Sequence, residues 1–348
     1  MNATASPELH WHSPDQPPFH LAGFAWYATD RRYRRMPLHP PEPLPEAVDM
    51  LADNTAGGQI KFQTDSPRLA VRAKITGCGM DHMPATGMCG VDCYLGMPGR
   101  QRFFSVTRFG RCDTAYECIL FDALPRELRN ITLNMPLYSG VQEIAVGLDA
   151  DARVVQPPPP AIDKPVVFYG TSITQGGCAS RPGMVHTAIL HRKLNVPVVN
   201  LGFSGSGKGE PEVARSVASV GRPAAFVLDY APNTTGPEHL AQTFPIFVRI
   251  LREAHPSVPI LALSRIRFSH DVFEPAWEKH RTGFEDVLRK AVAELQEAGD
   301  RRISFHSMAD ALGSDFDECT VDGVHPTDLG FIRMADALEP VIRRLLGL

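Results

Sequence analysis

No apolar run in the 348-residue chain approaches the length that a bilayer-spanning helix needs. A surplus of positive charge is missing as well. The 35 Lys and Arg stand against 39 acidic residues, a net charge of -4, so no basic surface is offered to nucleic acid or anionic lipid. Cysteine is sparse, at 78, 89, 93, 112, 118, 178 and 319, and no Cys-x-x-Cys pair sets a metal-ligand spacing. Reduced thiols and no bound metal are the expectation. The stretch from Met1 has neither the basic n-region nor the apolar h-region of a secretory signal, which makes the cytoplasm the expected location. Neither a nucleic-acid nor a membrane partner is expected, and homo-oligomerisation stays open.

The length suits two domains, each able to bury a core. Residues 1 to 45, rich in Pro, His and aromatics, read as an irregular arm over the body. From 58 to 148 the pattern is β. Ile60 and Phe62 alternate, and Leu69, Val71, Ala73 and Ile75 point to one face. Short apolar runs at 103–106, 118–121, 131–133 and 144–148 continue the series, at intervals that suit a sandwich or jelly roll. Four prolines at 157–160 cannot join a sheet or a helix interior. They place a stiff linker at 157–163, between an arm and β-sandwich at 1–156 and a second domain at 164–348.

Beyond the linker the rhythm is βαβα. Strand-like runs at 166–169, 196–201, 224–230, 260–263 and 303–306 alternate with helical patterns near 184–194, 211–220, 238–254, 277–298 and 329–346. Trp277, His280, Phe284, Val287, Leu288, Val292 and Leu295 share one helical face. A mainly parallel sheet covered on both faces follows.

Four stretches lie where such a sheet binds ligands, past the carboxyl ends of its strands. The first strand delivers Ser172 after Gly170-Thr171, with Gln175 in the turn beyond it. The second ends in the Gly/Ser loop 202–207, where glycines let backbone N–H groups turn toward a ligand. Asn233 follows the third, and its amide can serve an oxyanion, although a turn or cap suits it equally. Asp322 and His325 precede the last helix. Three apart in a loop, they can bring carboxylate to imidazole, which fixes the tautomer and stabilises an imidazolium.

Ser, Gly, Asn and Asp-x-x-His in this order resemble the SGNH (GDSL-type) hydrolases. Thr171 replaces the usual Asp before the serine, and Ala231-Pro232-Asn233-Thr234 replaces the usual Gly-x-Asn-Asp. Gly90-Val91-Asp92-Cys93-Tyr94 resembles the Gly-x-Asp-Leu-Tyr signature of a β-domain found on one SGNH branch. The resemblance implies a three-layer α/β/α, flavodoxin-like domain preceded by the all-β sandwich. It also implies a serine esterase with Ser172, His325 and Asp322 as triad, and Ser172, Gly205 and Asn233 as oxyanion hole. Such chemistry needs neither metal nor organic cofactor. A small-molecule or oligosaccharide ester is the implied substrate, an acetylated carbohydrate first. Lysophospholipase or thioesterase activity, or an inactive carbohydrate-binding protein, are the alternatives. Thr171, Gln175 and His82 are candidate substrate contacts.

Overall fold

The computed structural model describes residues 8–77, 79–110 and 112–348. Two antiparallel sheets face one another in the N-terminal region. One places its strands in the order Leu9–His12, Val141–Asp149, Leu69–Ile75, Ala115–Phe121. The other runs Val154–Val155, Gln59–Thr64, Arg129–Asn134, Asp92–Leu95, Arg102–Val106, with His20–Ala22 paired to Gln59–Thr64. Alternation does the sorting. Val71, Ala73 and Ile75 are buried, while Arg72 and Lys74 between them face solvent.

The arm is less irregular than its composition suggests. Leu9–His12 and His20–Ala22 are short edge strands of the two sheets. Further on, the arm buries Arg35, whose guanidinium donates to the carbonyls of Leu51, Asn54, Asn200 and Gly202. One cysteine also departs from expectation: Cys89 is disulfide-bonded rather than reduced. Cys93, Cys112, Cys118, Cys178 and Cys319 carry free thiols, and Cys78 lies outside the described residues.

Residues 157–163 pass without regular structure from the last β-domain strand to Val166–Gly170, the first strand of a five-stranded parallel sheet. In space its strands run second, first, third, fourth, fifth: Val198–Gly202, Val166–Gly170, Ala225–Asp229, Ile260–Leu263, Ile303–His306. This is the flavodoxin-like order, with its switch point at the first strand. The first three strands are buried along their whole length, as two covered faces require.

Each face has its own core. Val166, Phe168 and Val227 pack under the helices His186–Leu194 and Asp328–Leu346, in a cluster continuous with the sandwich interior. Val167, Tyr169, Phe226 and Leu228 pack on the opposite face under Pro211–Ala218, Pro237–Ala254 and Pro275–Glu297. Phe244, Phe247 and Phe284 are buried there. At about 25 cal/mol per Å² of apolar surface removed from water, this packing supplies the main drive for folding. Trp277 stays 37% exposed at the start of its helix, off the stripe expected to bury it.

Candidate active site

Ser172 is the first residue of a one-turn helix, Ser172–Gln175, entered directly from the first strand. Its N–H therefore has no intrahelical acceptor. Thr171 caps the turn, its hydroxyl accepting from the Ile173 N–H at 3.2 Å. The Ser172 hydroxyl lies 2.9 Å from His325 Nε2, although 153 positions separate them in sequence. On the other side of the ring, Nδ1 meets Asp322 Oδ2 at 2.8 Å. Asp322 Oδ1 accepts from the backbone N–H groups of Val324 and His325 at 3.0 and 2.8 Å. An ionised carboxylate can only accept, so Nδ1 carries the proton and Nε2 is left to accept from the serine. Partial burial pushes the Asp322 carboxyl up, but these hydrogen bonds outweigh it and hold the group below the usual carboxylate range.

The other two oxyanion candidates stand on loops that follow the second and third strands. Gly205 adopts φ +63°, a left-handed conformation that suits glycine, and its N–H finds no backbone acceptor among the described residues. Asn233 ends a short 3-10 turn after the third strand, and its side-chain amide donates to Phe203 O at 2.9 Å. That bond fixes the amide plane and leaves a second N–H to donate elsewhere.

His82 reaches this centre from the β-domain. Its ring centroid lies 5.7 Å from that of His325, and its Nδ1 meets Asp81 Oδ1 at 3.2 Å. Thr171 and Gln175, expected to touch substrate, are instead buried and engaged within the protein. Gln175 Nε2 donates to Asn54 Oδ1 and Leu137 O at 3.1 and 3.2 Å, and its Oε1 accepts from the Ser204 N–H at 3.1 Å. It braces the second loop beside Gly205 rather than facing solvent.

Several contributors act through contacts that the sequence does not show. Tyr138 donates its hydroxyl proton to Ser172 O at 3.1 Å, tying the backbone of the serine to the β-domain. Asp92, fully buried, accepts from the Gly183 N–H and from Asn134 Nδ2, both at 2.6 Å. The motif Gly90-Val91-Asp92-Cys93-Tyr94 is visible along the chain, but not the far partner of its acid. Beside Pro232 a cleft of about 340 Å³ opens between Arg265, Phe268, Trp277, His280 and Phe284. Ser269, next to the lining residue Phe268, donates its N–H to Gly323 O at 2.9 Å, one residue past Asp322.

Residues 163–343 match the GDSL-like lipase/acylhydrolase family, and residues 9–154 match the GxDLY domain, the N-terminus of SGNH-hydrolase-type esterases. The chain belongs to the GDSL-like lipase/acylhydrolase family. Among solved structures, it superposes on a chain from Bacteroides ovatus designated a GDSL-like lipase, with TM-score 0.89 and 29% identity, covering 97% of this chain and 98% of that one. The salicylyl-acyltransferase SsfX3 from a tetracycline biosynthetic pathway shares the fold at TM-score 0.74 and 18% identity, covering 97% of each chain. A family two carbohydrate esterase from Clostridium thermocellum shares it at TM-score 0.60 and 15% identity, covering 84% of this chain and 93% of that one. No curated protein matches the sequence.

Proposed function

We propose that the protein is a serine esterase that removes short acyl groups, acetyl first, from a carbohydrate. The observation that carries the reading is the relay Ser172–His325–Asp322, at 2.9 and 2.8 Å, at the carboxyl edge of the parallel sheet. As the Ser172 hydroxyl attacks the acyl carbonyl, His325 Nε2 takes its proton. The N–H groups of Ser172 and Gly205 and the Asn233 amide receive the negative charge that develops on the carbonyl oxygen. The imidazolium, held by Asp322, then protonates the leaving alcohol and frees it, leaving the acyl group on Ser172. Water, deprotonated by the same ring, attacks the acyl-enzyme, and the serine regains its proton as the acid departs.

The substrate half of the proposal rests on the β-domain loop. It places a polar pair, Asp81 and His82, beside the His325 ring that would protonate the leaving alcohol. Sugar hydroxyls suit such a lining. The β-sandwich partner and the fold shared with a carbohydrate esterase point the same way. A second reading takes the cleft lined by Phe268, Trp277 and Phe284, beside Pro232, as the place for a larger acyl group.

Rates on the 4-nitrophenyl esters of acetate, butyrate and octanoate, with Ser172→Ala as control, separate the two. Fast acetate turnover that vanishes in the mutant supports the deacetylase, and acetylated oligosaccharides follow as substrates. Preference for octanoate, lost in Trp277→Ala, moves the assignment to the larger acyl group. Turnover no better than the mutant on all three esters rejects the esterase.

A further inference from the structure

Spacing along the chain shows no metal-ligand pattern, but folding assembles one. His82 from the β-domain, Cys178 from the loop after the nucleophile, and His325 each offer a ligand atom, and the three atoms lie within 4.8 Å of one another. We propose that these residues form an inhibitory site for a divalent cation of the Zn²⁺ class. The inference rests on the esterase reading only for its consequence, the loss of the general base.

Two imidazoles and a thiol are a borderline-soft donor set that suits Zn²⁺ or Co²⁺ and not Mg²⁺ or Ca²⁺. Both rings have the outer partner that ligating histidines usually have. Asp81 holds Nδ1 of His82 at 3.2 Å and Asp322 holds Nδ1 of His325 at 2.8 Å, which leaves Nε2 of each ring to bind. Tetrahedral bonds of about 2.0–2.3 Å place ligands roughly 3.5 Å apart, so the cluster must contract by about 1 Å. His82 can supply that movement, since its side chain is 36% exposed in a bend outside any helix or strand. The fourth position falls to water or to the Ser172 hydroxyl, 2.9 Å from His325 Nε2.

Burial, helped by the Asp322 charge, pushes the Cys178 thiol up to about 12, so without metal it stays protonated and unreactive at neutral pH. Binding reverses this. The cation forms a bond to sulfur, the thiol proton leaves to solvent, and no electron changes hands. The same cation takes the Nε2 lone pair that would accept the serine proton. Because His82 and Cys178 come from opposite sides of the domain junction, it also clamps the β-domain loop over the nucleophile.

Titrating the full-length protein with Co²⁺ reads the site directly, through the thiolate-to-cobalt charge-transfer band in the near ultraviolet. The band should appear in the wild type and in Ser172→Ala, which keeps all three ligands and separates metal binding from any failure of the esterase assignment. It should vanish in Cys178→Ser and weaken in His82→Gln. Inhibition of ester hydrolysis by Zn²⁺ should be reversed by chelator, with an inhibition constant at least tenfold weaker in His82→Gln, and in Cys178→Ser where circular dichroism shows it folded. No thiolate band in the wild type, or Zn²⁺ inhibition of His82→Gln equal to that of the wild type, overturns the proposal.

Discussion

Asn233 has two amide protons, and the bond to Phe203 O engages only one of them. The other is the donor assigned to the oxyanion. Asn233→Ala should therefore lower kcat by about 10²–10³-fold with little change in KM, since the lost bond forms mainly in the transition state. A rise in KM at constant kcat would place Asn233 in ground-state binding instead. Asp322→Asn keeps the shape of the relay but removes the charge that holds the tautomer, and a loss of about 10⁴-fold in kcat is expected from steady-state kinetics. Ser172, Asp322 and His325 were readable because each stands at the edge of an element whose pattern is strong. The direction of a side chain within a turn was not. Thr171 and Gln175 flank the serine in sequence, yet helical geometry turns both inward, one to cap and one to brace.

Between neighbouring elements, buried polar groups hold the loops that carry the site. Gln175 accepts from Ser204 N–H, so Gln175→Leu strands that donor and two former acceptors of its amide. Destabilisation of about 1–3 kcal/mol is expected in urea unfolding, with a lower kcat because the Gly205 loop loses its brace. Full stability would show that water replaces the side chain. Asp229, at the end of the third strand, accepts from Thr174 Oγ1 at 3.0 Å, and burial pushes its carboxyl up to about 7. The folded protein thus holds this proton more tightly than the unfolded chain does. Stability contributed by the protonated form is present at low pH and is lost as pH rises from about 4, where the unfolded carboxyl ionises, to about 7. Asp92, pushed up to about 6 by burial, acts with the same sign. Asp229→Asn cannot ionise and still offers Thr174 an acceptor, so its unfolding midpoint should fall less across that window. An unchanged pH slope would show that Asp229 does not set the pH dependence of stability. The strands and helices of the parallel domain were legible within a few residues because their runs are long and their period clear. The arm was not: Leu9–His12 and His20–Ala22 are too short for a period to emerge, and only pairing with Val141–Asp149 and Gln59–Thr64 makes them strands.

Across the whole molecule, the β-domain is built into the site rather than tethered beside it. Its Tyr138 holds Ser172 O, its Thr86 hydroxyl donates to Ser180 O at 2.7 Å, and its Asp92 receives Gly183 N–H from the loop that follows Ser172. Arg181 and Arg192 lie over the rings of Phe103 and Tyr94 at 3.9 and 4.1 Å, adding cation–π contacts across the same junction. Asp92→Ala leaves the Gly183 N–H and one Asn134 amide proton buried without partners, each costing about 1–3 kcal/mol. Calorimetry should show a lower melting temperature, and esterase activity should fall although no triad residue has changed. A melting temperature equal to the wild type would mean that the β-domain docks without this bridge. The four prolines lie in a stretch without regular structure, whereas the junction is formed by hydrogen bonds between residues 34 to 94 positions apart and has no local signature.

The proposed esterase stands or falls with Ser172 as a nucleophile activated by His325. Labelling with a fluorophosphonate ester, followed by peptide mass mapping, tests it most directly. A single adduct on Ser172 is expected, formed at least a hundredfold more slowly in His325→Ala and absent in Ser172→Ala. An adduct on another residue, or labelling of Ser172 that does not depend on His325, would contradict it.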